Sequence, residues 1–189
     1  MFTRPGFHVL AGVWLAGGLA MAAEVPRQSP DFAVKLVDGK QLLVSQYKGE
    51  VRIVAFILTY CSHCQETVGV LSKMQKEYGG QGLQVLASAV EGEAALHIPD
   101  FIKRFQPPFP VGFNEHDAVL AYLQHTPGEK LYMPQLVFID RKGTIRAQYK
   151  GEDKFFSDNL EKNMREQVGL LLKEPAASKK PAPAHKKAV

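Results

Sequence analysis

Both cysteines of the 189-residue chain fall within four positions, Cys61-Ser62-His63-Cys64. Random placement sets two cysteines three apart only about one time in a hundred, and this pair also follows an apolar, branched run and opens a helical pattern. At the first turn of a helix the unpaired backbone N–H groups and the positive end of the dipole stabilise an anion. A thiolate is such an anion, and at these sites a cysteine pKa falls from ~8.5 to ~3.5–7.5. Cys61, at the helix start, is therefore the candidate nucleophile. Cys64, one turn inward on the same side, is placed to resolve a mixed disulfide. His63, inside the motif, can tune the Cys61 thiolate by charge or hydrogen bonding.

Two other chemistries use the same residues. A purely structural disulfide between Cys61 and Cys64 closes so short a ring that it constrains the unfolded chain little. Zinc could take Cys61 and Cys64 with two of His97, His116 and His125, although those histidines form no ligand pair by spacing. The remaining sulfur chemistry is reversible thiol–disulfide exchange, with the disulfide itself carrying the electrons and no dissociable cofactor.

The elements that must position the pair alternate between strand and helix. Ala33-Val37 and Gln41-Val44 flank Asp38-Gly39 and predict a short hairpin. Val51-Leu58 is a nearly continuous apolar run, as expected of a strand buried on both faces. Ser62 to Tyr78 reads as a helix ended by Gly79-Gly80. Leu83-Val90 is a second buried strand. An amphipathic helix over Ile98-Phe105, a short Pro110-Phe113 segment and a helix from Glu115 to Leu123 follow. Gln135-Asp140 and Thr144-Tyr149 make a second hairpin, and Asp153 to Lys173 predicts one closing helix. This order implies an α/β sandwich with a mixed sheet.

The ends read differently. From Pro5 to Ala23 there is no charged residue, and Ala20-Met21-Ala22 fits cleavage of a secretory signal over residues 1–22; the alternative is a retained membrane anchor. Either places the domain, residues 23–173, outside the cytoplasm, where a disulfide persists, with membrane contact only through that segment if it is uncleaved. Residues 174–189 read as a solvated Lys/Ala/Pro tail. Lys173 to Val189 holds five lysines against Glu174, while Glu24 to Leu172 holds 17 basic and 18 acidic side chains. The +4 net charge is thus terminal, and no nucleic-acid partner is implied.

Strand, Cys-x-x-Cys at a helix start and Met133-Pro134 ahead of a hairpin together resemble the thioredoxin fold. Ser29-Pro30-Asp31-Phe32, Leu42 to Glu50, Pro134 to Asp140 and Lys142-Gly143-Thr144-Ile145 are similar to recurring segments of the exported TlpA/ResA-like (redoxin) branch. The resemblance implies a thioredoxin-like three-layer sandwich with a mixed central sheet, an N-terminal β-hairpin and a helical insertion. It implies thiol–disulfide exchange with cysteine-containing protein substrates and a membrane thiol-transfer partner. It also implies that Pro134 is the cis-proline facing the pair, with Met133 and Tyr60 beside a bound peptide. The chain departs from the family in having Tyr60 where Trp is usual. It also has Ala55 and Thr67 at the two places where the family's reductases carry a carboxylate, which leaves the redox direction open. A peroxidase of the related peroxiredoxin type needs Thr and Pro where this chain has Leu58 and Val54, and is the weaker enzymatic alternative. A non-catalytic redoxin domain binding a metal or partner is the other.

Overall fold

The computed structural model describes residues 24–175, so the leader reading, and all of the tail beyond residue 175, lie outside the described residues. Eight strands form one sheet: β1 (Arg27–Gln28), β2 (Ala33–Lys35), β3 (Gln41–Leu43), β4 (Val51–Ile57), β5 (Leu83–Ala89), β6 (Val111–Phe113), β7 (Gln135–Ile139) and β8 (Thr144–Lys150). Their order is β1-β8-β7-β4-β5-β6-β2-β3. β4, β5 and β6 are parallel, while β7 joins β4 antiparallel, so the sheet is mixed as expected. The N-terminal hairpin β2–β3 pairs beyond β6 through Lys35 opposite Phe113. β1, which carries no strand pattern of its own, adds to the opposite edge against β8.

The helices are α1 (Ser62–Tyr78), α2 (Ala94–Phe105), α3 (His116–Leu123), α4 (Lys154–Ser157) and α5 (Leu160–Leu172). Every residue of β4 is buried. Its alternation sends Ile53, Ala55 and Ile57 into one core with Val68 and Leu71 of α1, Ile98 of α2 and Met164 and Val168 of α5. Val54 and Phe56 enter a second core with Val119, Tyr122 and Leu123 of α3 and with Phe32. Phe56 meets Phe32 edge-on, with ring centroids 5.5 Å apart, and burying such a ring contributes about 1.5–3 kcal/mol. This is the three-layer thioredoxin-like sandwich, with β4 and β5 pinned at its centre and aiming their C-terminal ends at one rim.

Two helices depart from the sequence reading. α2 begins four residues before Ile98 and runs through Pro99. Pro99 sits on the exposed side, where water can take the carbonyl that its missing N–H leaves free. The single closing helix is broken into α4 and α5 at Asp158-Asn159, because Asn159 adopts the left-handed conformation (φ 71°) and its side chain caps α5 by accepting from the Lys162 N–H at 3.2 Å. Asn is among the few residues suited to both tasks. Asn159→Ala is expected to lower stability by about 1–2 kcal/mol, and Asn159→Gly by less, as read from urea unfolding midpoints.

Candidate active site

The site lies where β4 ends. Leu58, Thr59 and Tyr60 leave the strand, and the Cys61 N–H donates back to the Leu58 carbonyl at 3.1 Å. Gln65, on the first turn of α1, donates from Nε2 to the Thr59 carbonyl at 2.9 Å and ties the helix to this loop. Cys61 occupies the N-cap position in extended conformation (φ −80°, ψ 123°), and its carbonyl accepts the helical bond from the Gln65 N–H at 3.0 Å. The sequence places residue 61 at the helix tip, and the structure has it there. No acidic residue occupies the first turn of α1 to offset the positive end of the dipole.

Both cysteines are free thiols, Cys61 half-buried and Cys64 fully buried. The Leu58 N–H donates to Cys64 Sγ at 3.4 Å, and Cys61 lies close to it. Burial pushes the Cys64 thiol far above its usual range; the Leu58 N–H opposes this, while Cys61 and the negative charge of Glu91 reinforce it. The arrangement is asymmetric: one sulfur at the surface on a helix tip, the other beneath it and held protonated.

The other predicted site residues divide between neighbouring and peripheral positions. His63 is exposed on the first turn of α1. Tyr60 is 71% exposed and lines a groove of about 210 Å³ with Gln65, His97, Asp100 and Arg104. Met133 and Cys61 both border the core that contains Cys64, and the Met133–Pro134 peptide is cis. Gly151 backs this segment: a Cβ there would stand 2.6 Å from the Met133 carbonyl carbon and 3.1 Å from the Pro134 nitrogen. Gly151→Ala is expected to cost about 1–3 kcal/mol in unfolding free energy by overpacking, and to slow exchange by shifting the Met133 backbone. The zinc set does not assemble, since among the described residues no three His, Cys, Asp or Glu side chains group to hold a metal ion. The positions where the family places a carboxylate are filled otherwise. Ala55 faces the α1 core, and the buried Thr67 hydroxyl donates to the His63 carbonyl at 2.8 Å.

Sequence reasoning left Glu91 without chemistry, yet it reaches this site. The Thr59 N–H donates to Glu91 Oε1 at 3.0 Å, and the Thr59 hydroxyl donates to the same oxygen. Glu91 Oε2 is buried with no partner. The contact joins residues 32 apart in sequence, and only the parallel pairing of β4 with β5 brings them together.

The AhpC/TSA family pattern matches residues 25–148. The chain belongs to the AhpC/TSA family. Among its relatives, thiol-disulfide oxidoreductase ResA of Geobacillus kaustophilus (strain HTA426) is 28% identical over 130 residues, 69% of this chain and 71% of that protein. ResA of Bacillus thuringiensis subsp. konkukian (strain 97-27) is 22% identical over 129 residues, 68% and 71% of the two chains. The crystal structure of a thiol:disulfide interchange protein of the thioredoxin family from Chlorobium tepidum TLS superposes with a TM-score of 0.65 at 21% identity, covering 79% of this chain and 98% of that one. These matches bear out the ResA-like resemblance and the thioredoxin-like fold of this AhpC/TSA family member.

Proposed function

We propose that this protein is an exported thiol–disulfide oxidoreductase acting on cysteine-containing proteins, with Cys61 as nucleophile and Cys64 as resolving thiol. The observation that carries the reading is the asymmetric pair: Cys61 at the N-cap of α1, half-buried, and Cys64 close beneath it and buried. The ResA relatives support the same reaction class.

In the reducing direction the Cys61 thiolate attacks one sulfur of a substrate disulfide. A Cys61–substrate mixed disulfide forms, and the displaced substrate thiolate leaves and takes up a proton. Cys64 then loses its proton and attacks Cys61 Sγ, which releases the second substrate thiol and leaves the Cys61–Cys64 disulfide. Two electrons have passed from the dithiol to the substrate. Run backwards, the same steps oxidise a dithiol. Tyr60, next to Cys61 in sequence, and Met133, at the edge of the same core, are the proposed contacts for the substrate chain, with Pro134 fixing the Met133 backbone and His63 tuning the thiolate.

As a reductase the exported protein would be recharged by a membrane thiol-transfer partner. Peroxidase chemistry is less well served. Leu58 stands where a peroxidatic site needs a hydroxyl, and the neighbouring Thr59 hydroxyl is held by Glu91. The test is turnover of a protein disulfide. With dithiothreitol as electron donor, the protein is expected to accelerate reduction of insulin; a rate equal to the uncatalysed background contradicts the assignment. N-terminal sequencing of the protein recovered from its source cells is expected to begin at Ala23, and an intact Met1 contradicts signal cleavage.

A further inference from the structure

The reaction proposed above requires a buried thiol to give up its proton, and neither Ala55 nor Thr67 can take it. From the geometry we infer that Glu91, delivered from the loop between β5 and α2, is the proton acceptor for Cys64. This inference rests on the exchange reaction assigned to the cysteine pair.

Three observations converge on Glu91. Consecutive backbone amides hold the two groups: the Leu58 N–H binds Cys64 Sγ at 3.4 Å and the Thr59 N–H binds Glu91 Oε1 at 3.0 Å. Adjacent peptide nitrogens are less than about 4 Å apart, so thiol and carboxylate stand within roughly 10 Å whatever their relative direction. Separations within that bound allow transfer by contact or along a chain of one to three waters. Secondly, Oε1 is anchored by two donors from Thr59, whereas Oε2 is buried without one. An unpaired buried carboxylate oxygen is costly, and a proton taken up there removes that cost. Thirdly, Glu91 lines a cavity of about 350 Å³ with Glu93, Phe113, Asn114, Glu115 and His116. That volume holds several waters and gives the proton a way out to solvent.

The step balances. While the Cys61–substrate disulfide stands, the proton on Cys64 Sγ moves to Glu91, and the carboxylate charge is neutralised as the thiolate charge appears. Cys64 Sγ bonds to Cys61 Sγ, the Cys61–substrate S–S bond breaks, and the electron pair leaves on the substrate sulfur. The proton then returns through the cavity to solvent or to the departing thiolate. In the resting dithiol the same charge disfavours a Cys64 thiolate, in line with the upward push already noted. Glu91 thus keeps Cys64 protonated at rest and accepts its proton during resolution.

The experiment uses the full reduced protein and one equivalent of 5,5′-dithiobis(2-nitrobenzoate), followed by stopped-flow absorbance. Attack by Cys61 releases one thionitrobenzoate, and attack by Cys64 on the mixed disulfide releases the second. Glu91→Gln keeps an oxygen for Thr59 and is expected to leave the first phase within about twofold while slowing the second at least tenfold near pH 7. That defect is expected to shrink as pH rises and solvent base replaces the carboxylate. In a Cys61→Ala background, Glu91→Gln is expected to move the Cys64 titration to lower pH, so that the thiol ionises more readily while resolution is slower. A merely structural role would not produce that opposition. Glu93, Glu115 and His116 line the Glu91 cavity, His97 lines the groove beside Thr59, and Cys61 neighbours Cys64 outside the Cys61→Ala background; these groups are the same on both sides of each comparison, which is made at matched pH. Glu91→Asp is expected to restore most of the second phase. Thr59→Val, which removes one anchor of the carboxylate, is expected to slow it by about threefold and stands in if Glu91→Gln does not fold. A second phase as fast in Glu91→Gln as in the wild type overturns the role of Glu91 and leaves the cysteine assignment intact. A wild-type protein that never releases the second thionitrobenzoate overturns both.

Discussion

Cys61→Ser is expected to reduce disulfide exchange to the uncatalysed background, a loss of at least about 10³-fold, because a hydroxyl at the helix tip is not ionised near neutral pH and cannot attack sulfur. Cys64→Ser has a different expected result. The first attack survives, but nothing resolves the product, so a one-to-one mixed disulfide accumulates on Cys61 and multiple turnover is lost. Intact-mass spectrometry after mixing with an oxidised peptide separates the two variants: no adduct for Cys61→Ser, a stable adduct for Cys64→Ser. The contrast follows from position. Cys61 is the accessible sulfur at the N-cap, whereas Cys64 is buried beneath it and is reached through Cys61. Equal adduct formation on both cysteines would contradict that division of roles.

The reduced protein is expected to lose stability as pH rises through and beyond 9, and Cys64 is the group responsible. Burial is the main cause that raises its pKa above the ordinary value of 9.0. In the unfolded chain this thiol therefore ionises around pH 9 while the folded state still holds its proton. The unfolded state then binds fewer protons, so the unfolding free energy falls with pH, at a slope approaching about 1.4 kcal/mol per unit. Well below pH 9 both states are protonated and the thiol adds no pH dependence. The loss is expected to grow from pH 9 upward for as long as the folded state keeps that proton. Tyrosines and lysines also titrate there, so the readout is the difference between reduced wild type and Cys64→Ala in urea unfolding at pH 7, 9 and 11. Parallel pH curves for the two proteins would contradict a buried, protonated Cys64.

What was legible in the sequence was local. α1 spans Ser62–Tyr78 as read, because its start is marked by the motif after an apolar strand and its end by Gly79-Gly80. β4 and β5 were legible as unbroken branched apolar runs, each reading one residue longer than observed. The break between α4 and α5 was missed, since apolar periodicity over Phe156, Leu160, Met164 and Val168 continues across Asn159, and the backbone turn there depends on one left-handed residue. α2 was read from Ile98, four residues late, because its N-cap Glu93 makes no side-chain capping bond and no start signal marks Ala94. Glu91 was not legible at all. Its partner Thr59 is 32 residues away, and nothing in Glu91-Gly92-Glu93 distinguishes a carboxylate bonded to the loop after β4 from one in solvent. The redox pair was readable because its chemistry is written in adjacent residues; its proton acceptor was not, because strand pairing builds it.

The account depends most on reversible oxidation of the pair as a unit. Equilibrating the full chain in buffers of graded reduced-to-oxidised glutathione ratio, then alkylating and weighing it, measures this directly. The expected result is a single two-electron transition in which both thiols disappear together, a tenfold change in oxidation ratio for about every 30 mV, with a potential between that of thioredoxin, ~−270 mV, and the oxidising end near ~−120 mV. Two thiols that stay alkylatable across the whole range, or that are lost one at a time, would contradict it.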